Sequence, residues 1–157
     1  MITKSEKEMI KYAKKFADTL VGGEMLALIG DLGSGKTTFT KGLADGLGVE
    51  NTITSPTFVL MKAYTIRRRK VANANIKHNS LAISHLVHID AYRLTSGQDL
   101  EDIGVTEYLK KKNTVTVIEW ADRVQDIWPK DVIRIDFKVV GEDKREIKIT
   151  KRITHNM

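Results

Sequence analysis

Between residues 5 and 20 the apolar positions Met9, Ile10, Ala13, Phe16, Ala17 and Leu20 recur at helical intervals and gather on one face. Ser5-x-x-Glu8 has the form of a capping box, which predicts the start of this amphipathic helix, and Gly22-Gly23 ends it. Residues 24–29 then run almost wholly apolar between glycines, too short for a helix and long enough for a buried strand. Helical spacing resumes at Thr38, with Phe39, Leu43 and Leu47 on one side and Gly48 as the stop. Residues 57–64 and 82–89 are strand-like, and the polar, basic stretch between them reads as a loop or long hairpin tip. Residues 98–112 predict a helix broken at Gly104, and 115–118 form a β-branched strand. After Pro129 the alternation over 132–140 predicts another strand, and 146–150 a last one with Ile147 and Ile149 on one face.

Strands alternate with helices, and 157 residues make about one domain at the usual ~100–200 residues each, so the expectation is a single α/β domain over 1–157. The chain has no cysteine, which removes disulfide scaffolds, thiolate zinc sites and thiol nucleophiles together. Met1 to Glu8 mixes charged and polar residues, and no stretch approaches the ~18 apolar residues of a membrane span. A soluble, cytoplasmic protein without membrane attachment is expected.

The net charge of +6 is localised: from Met61 to Ile89 there is no acid, while Lys62, Arg67, Arg68, Arg69, Lys70 and Lys77 are basic. Such a segment reads first as a solvated loop and second as a patch facing a polyanion.

The chemistry is concentrated where the first strand opens into the second helix. Gly30-x-x-x-x-Gly35-Lys36-Thr37 matches the phosphate-binding loop at each fixed position, in the required strand-to-helix context. Gly33 and Gly35 let backbone N–H groups turn inward around a phosphate, and the helix N-terminus adds partial positive charge. Lys36 is placed to reach the β- and γ-phosphates of ATP, and the Thr37 hydroxyl to hold Mg²⁺. The metal needs a carboxylate, and in open α/β sheets such groups sit at the carboxyl ends of strands. Asp90 and Glu119 both qualify, one for the metal and the other for the attacking water; spacing leaves open which is which. Ser55-Pro56-Thr57 has the hydroxyls of a switch loop but is also an ordinary turn entry. His88 reads as a satisfied core histidine, and Trp120 and Trp128 as packing residues.

These motifs occur as an ordered set: Gly30 to Thr38, Ser55-Pro-Thr-Phe58, His88-x-Asp90-x-Tyr92-Arg93, Gly104 with its following helix, and Glu119-Trp120. In this the chain resembles the bacterial TsaE family over nearly its whole length. The resemblance implies a P-loop NTPase-like α/β domain, a mixed sheet flanked by helices, and slow Mg²⁺-dependent ATP hydrolysis. It implies that this hydrolysis supports the partner proteins TsaB and TsaD, which form threonylcarbamoyladenosine beside the anticodon of tRNA, so that tRNA is met through the complex. By the same resemblance Gly33, Ser34, Gly35, Lys36, Thr37 and Thr38 cradle the phosphates, and Thr37 and Glu119 hold magnesium. Asp90 becomes the second essential acid and, with Lys36, catalytic. Glu6 is brought near the nucleotide, and Lys144-Arg145 is a weaker candidate. Against the family's shorter connection, residues 65–85 look like a basic extension of a hairpin.

Two other readings compete. A small P-loop kinase would move the γ-phosphoryl onto a metabolite under a lid formed by Arg67 to Arg69, but no acceptor motif is visible. A nucleotide-regulated nucleic-acid-binding module rests on the basic segment, which lacks interleaved aromatics.

Overall fold

The computed structural model describes residues 1–67, 83–109 and 111–151. In chain order the elements are β1 (Ile2–Thr3), α1 (Glu6–Ala17), β2 (Met25–Ile29), α2 (Lys36–Leu47), β3 (Met61–Thr65), β4 (His85–Asp90), α3 (Gly97–Asp102), α4 (Val105–Leu109), β5 (Thr114–Glu119), a 3-10 helix (Ala121–Ile127), β6 (Ile133–Val139) and β7 (Arg145–Lys151). One mixed sheet takes the order β1-β7-β6-β2-β5-β4-β3. Its centre, β6-β2-β5-β4, is parallel, while β3, β7 and β1 join antiparallel. The expected α/β architecture, a mixed sheet flanked by helices, is thus the observed one.

Helices cover both faces of the centre, which is why β2 is apolar on both sides and β5 is buried along its whole length. On one face α1 and α2 pack over Leu26, Leu28, Val115, Val117 and Ile135. On the other, α3, α4 and the 3-10 helix enclose Met25, Ala27, Val87, Ile89, Ile118 and Val132. Phe39 on α2 is fully buried, with the Phe16 ring 5.9 Å away and the Phe137 ring edge-on at 5.4 Å. Burying such a side chain contributes about 1.5–3 kcal/mol. The helices approach backbone to backbone, because a Cβ at Gly42 would lie 2.6 Å from the Ile10 carbonyl oxygen and one at Gly46 2.7 Å from Ala17 Cβ.

The capping box forms in altered geometry. Glu8 N donates to Ser5 Oγ at 3.1 Å, but the Glu8 carboxylate accepts from Lys4 N, one residue before the cap. The broken helix expected over 98–112 is α3 and α4, separated at Gly104 with φ of 84°. β1 was not foreseen, and the strand expected over 57–64 begins only at Met61. The basic extension expected at about 65–85 lies mostly outside the described residues; Arg67, at its start, is exposed and 3.5 Å from Glu50.

Candidate active site at the carboxyl ends of the central strands

β2 delivers the chain into Gly30 to Gly35, and α2 starts at Lys36. Gly35, the residue that caps α2, has φ of 103°, a left-handed conformation that side chains rarely adopt, and it offers no side-chain acceptor. The first N–H groups of α2 are thereby left for an anion, in line with the helix dipole. The loop opens onto a cleft of about 520 Å³ lined by Gly33, Gly35, Lys36, Thr37 and Thr38 on one side. Ser55, Thr57, Asp90, Tyr92, Glu119 and Trp120 line the rest of it, with Leu32 at the rim.

Sheet order makes this convergence possible. β5 lies between β2 and β4, and the register pairs Leu28 with Glu119 and Glu119 with Asp90. Both acids therefore stand beside the phosphate-type loop although they are distant from it in sequence.

Lys36 is 4% exposed, and its ammonium donates to the carbonyl oxygens of Gly30 (2.6 Å) and Asp31 (2.9 Å), with Ser34 Oγ at 3.4 Å. The Trp120 ring centroid is 4.1 Å from the same nitrogen. Burial pushes the Lys36 pKa below the ordinary 10.5, opposed by Glu119 and, more weakly, by Asp31, Asp90 and Asp122. The side chain is held back on its own loop, in a place where its charge is poorly solvated.

Glu119 is 2% exposed and uses its two oxygens separately. Oε2 accepts from Thr37 Oγ1 at 2.9 Å, and Oε1 lies 2.7 Å from His88 Nε2. Asp90 is equally engaged: Oδ2 accepts from Ser55 Oγ (3.0 Å) and Thr57 Oγ1 (2.9 Å), and Oδ1 from Tyr92 N (2.9 Å). The Ser55-Pro56-Thr57 hydroxyls thus meet Asp90 in this state.

Among the described residues, two that are not glycine occupy the left-handed region, Leu60 (φ 64°) and Trp120 (φ 57°). Leu60 O accepts from Asp90 N, and Trp120 directly follows Glu119. Such conformations cost of order 1–3 kcal/mol each and concentrate at functional sites.

Glu6 is exposed and stands on the other side of the loop, in a smaller recess shared with Ser5, Met9, Gly33, Gly35, Thr38, Asp143 and Arg145. Arg145 reaches the loop itself, Nε donating to Gly33 O at 3.1 Å, whereas Lys144 is not among the lining residues. Trp120 and Trp128, both half-buried, pack against the same core cluster, as expected of packing residues; Trp128 Nε1 donates to Ala121 O, and Trp120 also forms a wall of the cleft. Reading along the chain missed this place of Trp120 and the His88 bond to Glu119. The hint present was that Trp120 directly follows one strand-end acid, Glu119, and that His88 lies two residues before the other, Asp90, on the same strand face.

Residues 3–147 match the family model described as "Threonylcarbamoyl adenosine biosynthesis protein TsaE". Among curated proteins, the chain is 36% identical to the tRNA threonylcarbamoyladenosine biosynthesis protein TsaE of Bacillus subtilis, over 94% of this chain and 82% of that protein. The protein of the same name from Borreliella burgdorferi is 37% identical, over 90% of this chain and 92% of its own. The fold superposes on the crystal structure of Bacillus subtilis YdiB with a TM-score of 0.69 and 32% identity, over 98% of this chain and 84% of that one.

Proposed function

The chain belongs to the TsaE family of threonylcarbamoyl adenosine biosynthesis proteins, and from that membership we propose that it hydrolyses ATP with Mg²⁺ in support of threonylcarbamoyladenosine formation on tRNA. The observation that carries the ATPase reading is the convergence of the Gly30–Lys36 loop with Glu119 and Asp90 at adjacent strand ends. TsaB and TsaD are the proposed partners, and tRNA is met through their complex.

The residues present suit magnesium. Thr37 Oγ1 and Glu119 Oε2 are hard oxygen donors 2.9 Å apart at the wall of the cleft. Among the described residues no group of three or more His, Cys, Asp or Glu forms a complete metal cage. Mg²⁺ at phosphate sites keeps waters and takes only one or two protein ligands beside the phosphates. Bound there, the ion would offset charge on the β- and γ-phosphates.

The remaining work falls to the protein. Lys36 leaves the Gly30 and Asp31 carbonyls for phosphate oxygens, and the turn Gly33–Thr38 supplies backbone donors. Asp90, with the Ser55 and Thr57 hydroxyls, holds the attacking water and accepts its proton. Glu6 and Arg145 border the loop on the side away from these acids and are proposed to contact the nucleotide beyond its phosphates. The test is reconstitution of the protein with ATP, Mg²⁺, TsaB, TsaD and tRNA, following phosphate release and tRNA modification together. Modification at full rate without this protein would overturn the proposal.

A further inference from the structure

His88 is completely buried on β4, and its Nε2 lies 2.7 Å from Glu119 Oε1. Its Nδ1 is also buried and has no partner among the described residues. Toward a carboxylate, which only accepts, it is Nε2 that donates. Leaving a buried polar atom unpaired costs about 1–3 kcal/mol, a cost an apolar side chain in this strand would not incur. What the imidazole supplies in return is a single N–H aimed at one oxygen of Glu119.

We propose that His88 is a positioning residue for the magnesium-binding carboxylate: by engaging Oε1 it fixes the carboxylate plane and leaves Oε2 alone, beside Thr37 Oγ1, to meet the ion. The inference rests on the reading of Glu119 as the metal ligand given above. The register supports it, because His88 pairs with Val117 and not with Glu119, so the bond runs diagonally between neighbouring strands and locks the Glu119 side chain instead of following from strand pairing. With its other oxygen free, Glu119 would have a second way to rotate, and each Mg²⁺ would have to be bound at the cost of ordering it. Groups that orient metal ligands in this way are typically worth about 10–100-fold in metal affinity or activity.

The test is the Mg²⁺ concentration at which ADP affinity reaches half of its magnesium-dependent gain, measured by calorimetry for four variants. His88→Leu keeps bulk without a donor, His88→Asn keeps polarity but is too short to reach, and His88→Gln restores an N–H near the position of Nε2. The midpoint is expected to rise about 10–100-fold in His88→Leu and His88→Asn, to stay close to wild type in His88→Gln, and ADP affinity without Mg²⁺ to stay unchanged throughout. Unshifted midpoints in His88→Leu and His88→Asn, or a His88→Gln midpoint shifted as far as theirs, would overturn the inference. Glu119→Gln separates the two levels: if it leaves the midpoint in place, the metal-site reading itself fails, whereas a shift there without one in the His88 variants removes only the role of His88. Wild-type protein provides a readout that needs no variant to fold. Nitrogen NMR of the imidazole is expected to show the proton on Nε2 before and after addition of Mg²⁺ and ADP, and loss of that bond on addition would refute the proposal.

Discussion

Asp90 and Glu119 are register partners on neighbouring parallel strands, yet among the described residues their carboxylates bond to different groups. Glu119 is tied to Thr37 and His88, and Asp90 to Ser55, Thr57 and the Tyr92 amide. Adjacent acids with separate partners can be removed one at a time.

Glu119→Ala is expected to abolish the magnesium-dependent part of nucleotide binding, and Asp90→Ala to spare binding while lowering turnover by about 10²–10⁴-fold, the usual weight of a general base. Calorimetry with a non-hydrolysable ATP analogue, with and without Mg²⁺, checks both. The reverse pattern would exchange their roles.

Lys36→Ala should lose hydrolysis while its circular dichroism matches wild type. A pH dependence follows from the buried ammonium. A bound phosphate raises its pKa, so the complex holds more protons than the free protein, and affinity falls as pH rises between the two values. Because burial holds the free value under 10.5, with Glu119, Asp31, Asp90 and Asp122 opposing, the decline in ADP affinity should begin below that pH. It should be missing from Lys36→Arg, whose guanidinium keeps its charge. A wild-type profile flat up to the ordinary lysine range would contradict the assignment.

The chain has two tryptophans, and only Trp120 touches Lys36, at 4.1 Å. Drawing Lys36 onto phosphate should change the emission of Trp120, while Trp128, fixed on Ala121 O, provides a constant background. Fluorescence titration with ADP is expected to respond in Trp128→Phe and to be silent in Trp120→Phe.

Gly42→Ala would press a methyl group onto the Ile10 backbone, which has little freedom to yield. Overpacking of this kind costs about 1–3 kcal/mol. The melting temperature should fall by about 2–4 °C per kcal/mol for a chain of this size. Thermal unfolding of the purified variant measures it.

The phosphate-type loop was legible because its signal is local: glycines, lysine and threonine at fixed spacing between a strand and a helix. The strand-end acids could be named for the same reason, from the apolar runs that precede them. β1 could not, since Ile2 and Thr3 are too few to show a period and pair with Glu146 and Arg145 from the far end of the chain. The strand expected from residue 57 starts late because Pro56 O accepts from Val59 N and Leu60 N, Asp90 holds Ser55 and Thr57, and Leu60 turns through a left-handed conformation. His88 looked like an ordinary core residue because its partner comes from another strand, and one sequence does not display register.

The strand order also sets when, during synthesis, the site can exist. β2 and its loop emerge early, but β2 is flanked by β5 and β6, which are translated after most of the chain. Until β5 has left the ribosome, the strand that supports the loop has no hydrogen-bonded neighbour; Glu119 arrives with β5, and the second neighbour only with β6. Contacts so distant in sequence form slowly. A nascent chain that stops short of β5 therefore carries the whole Gly30–Thr37 motif with neither a partner strand for β2 nor the Glu119 carboxylate that Thr37 meets.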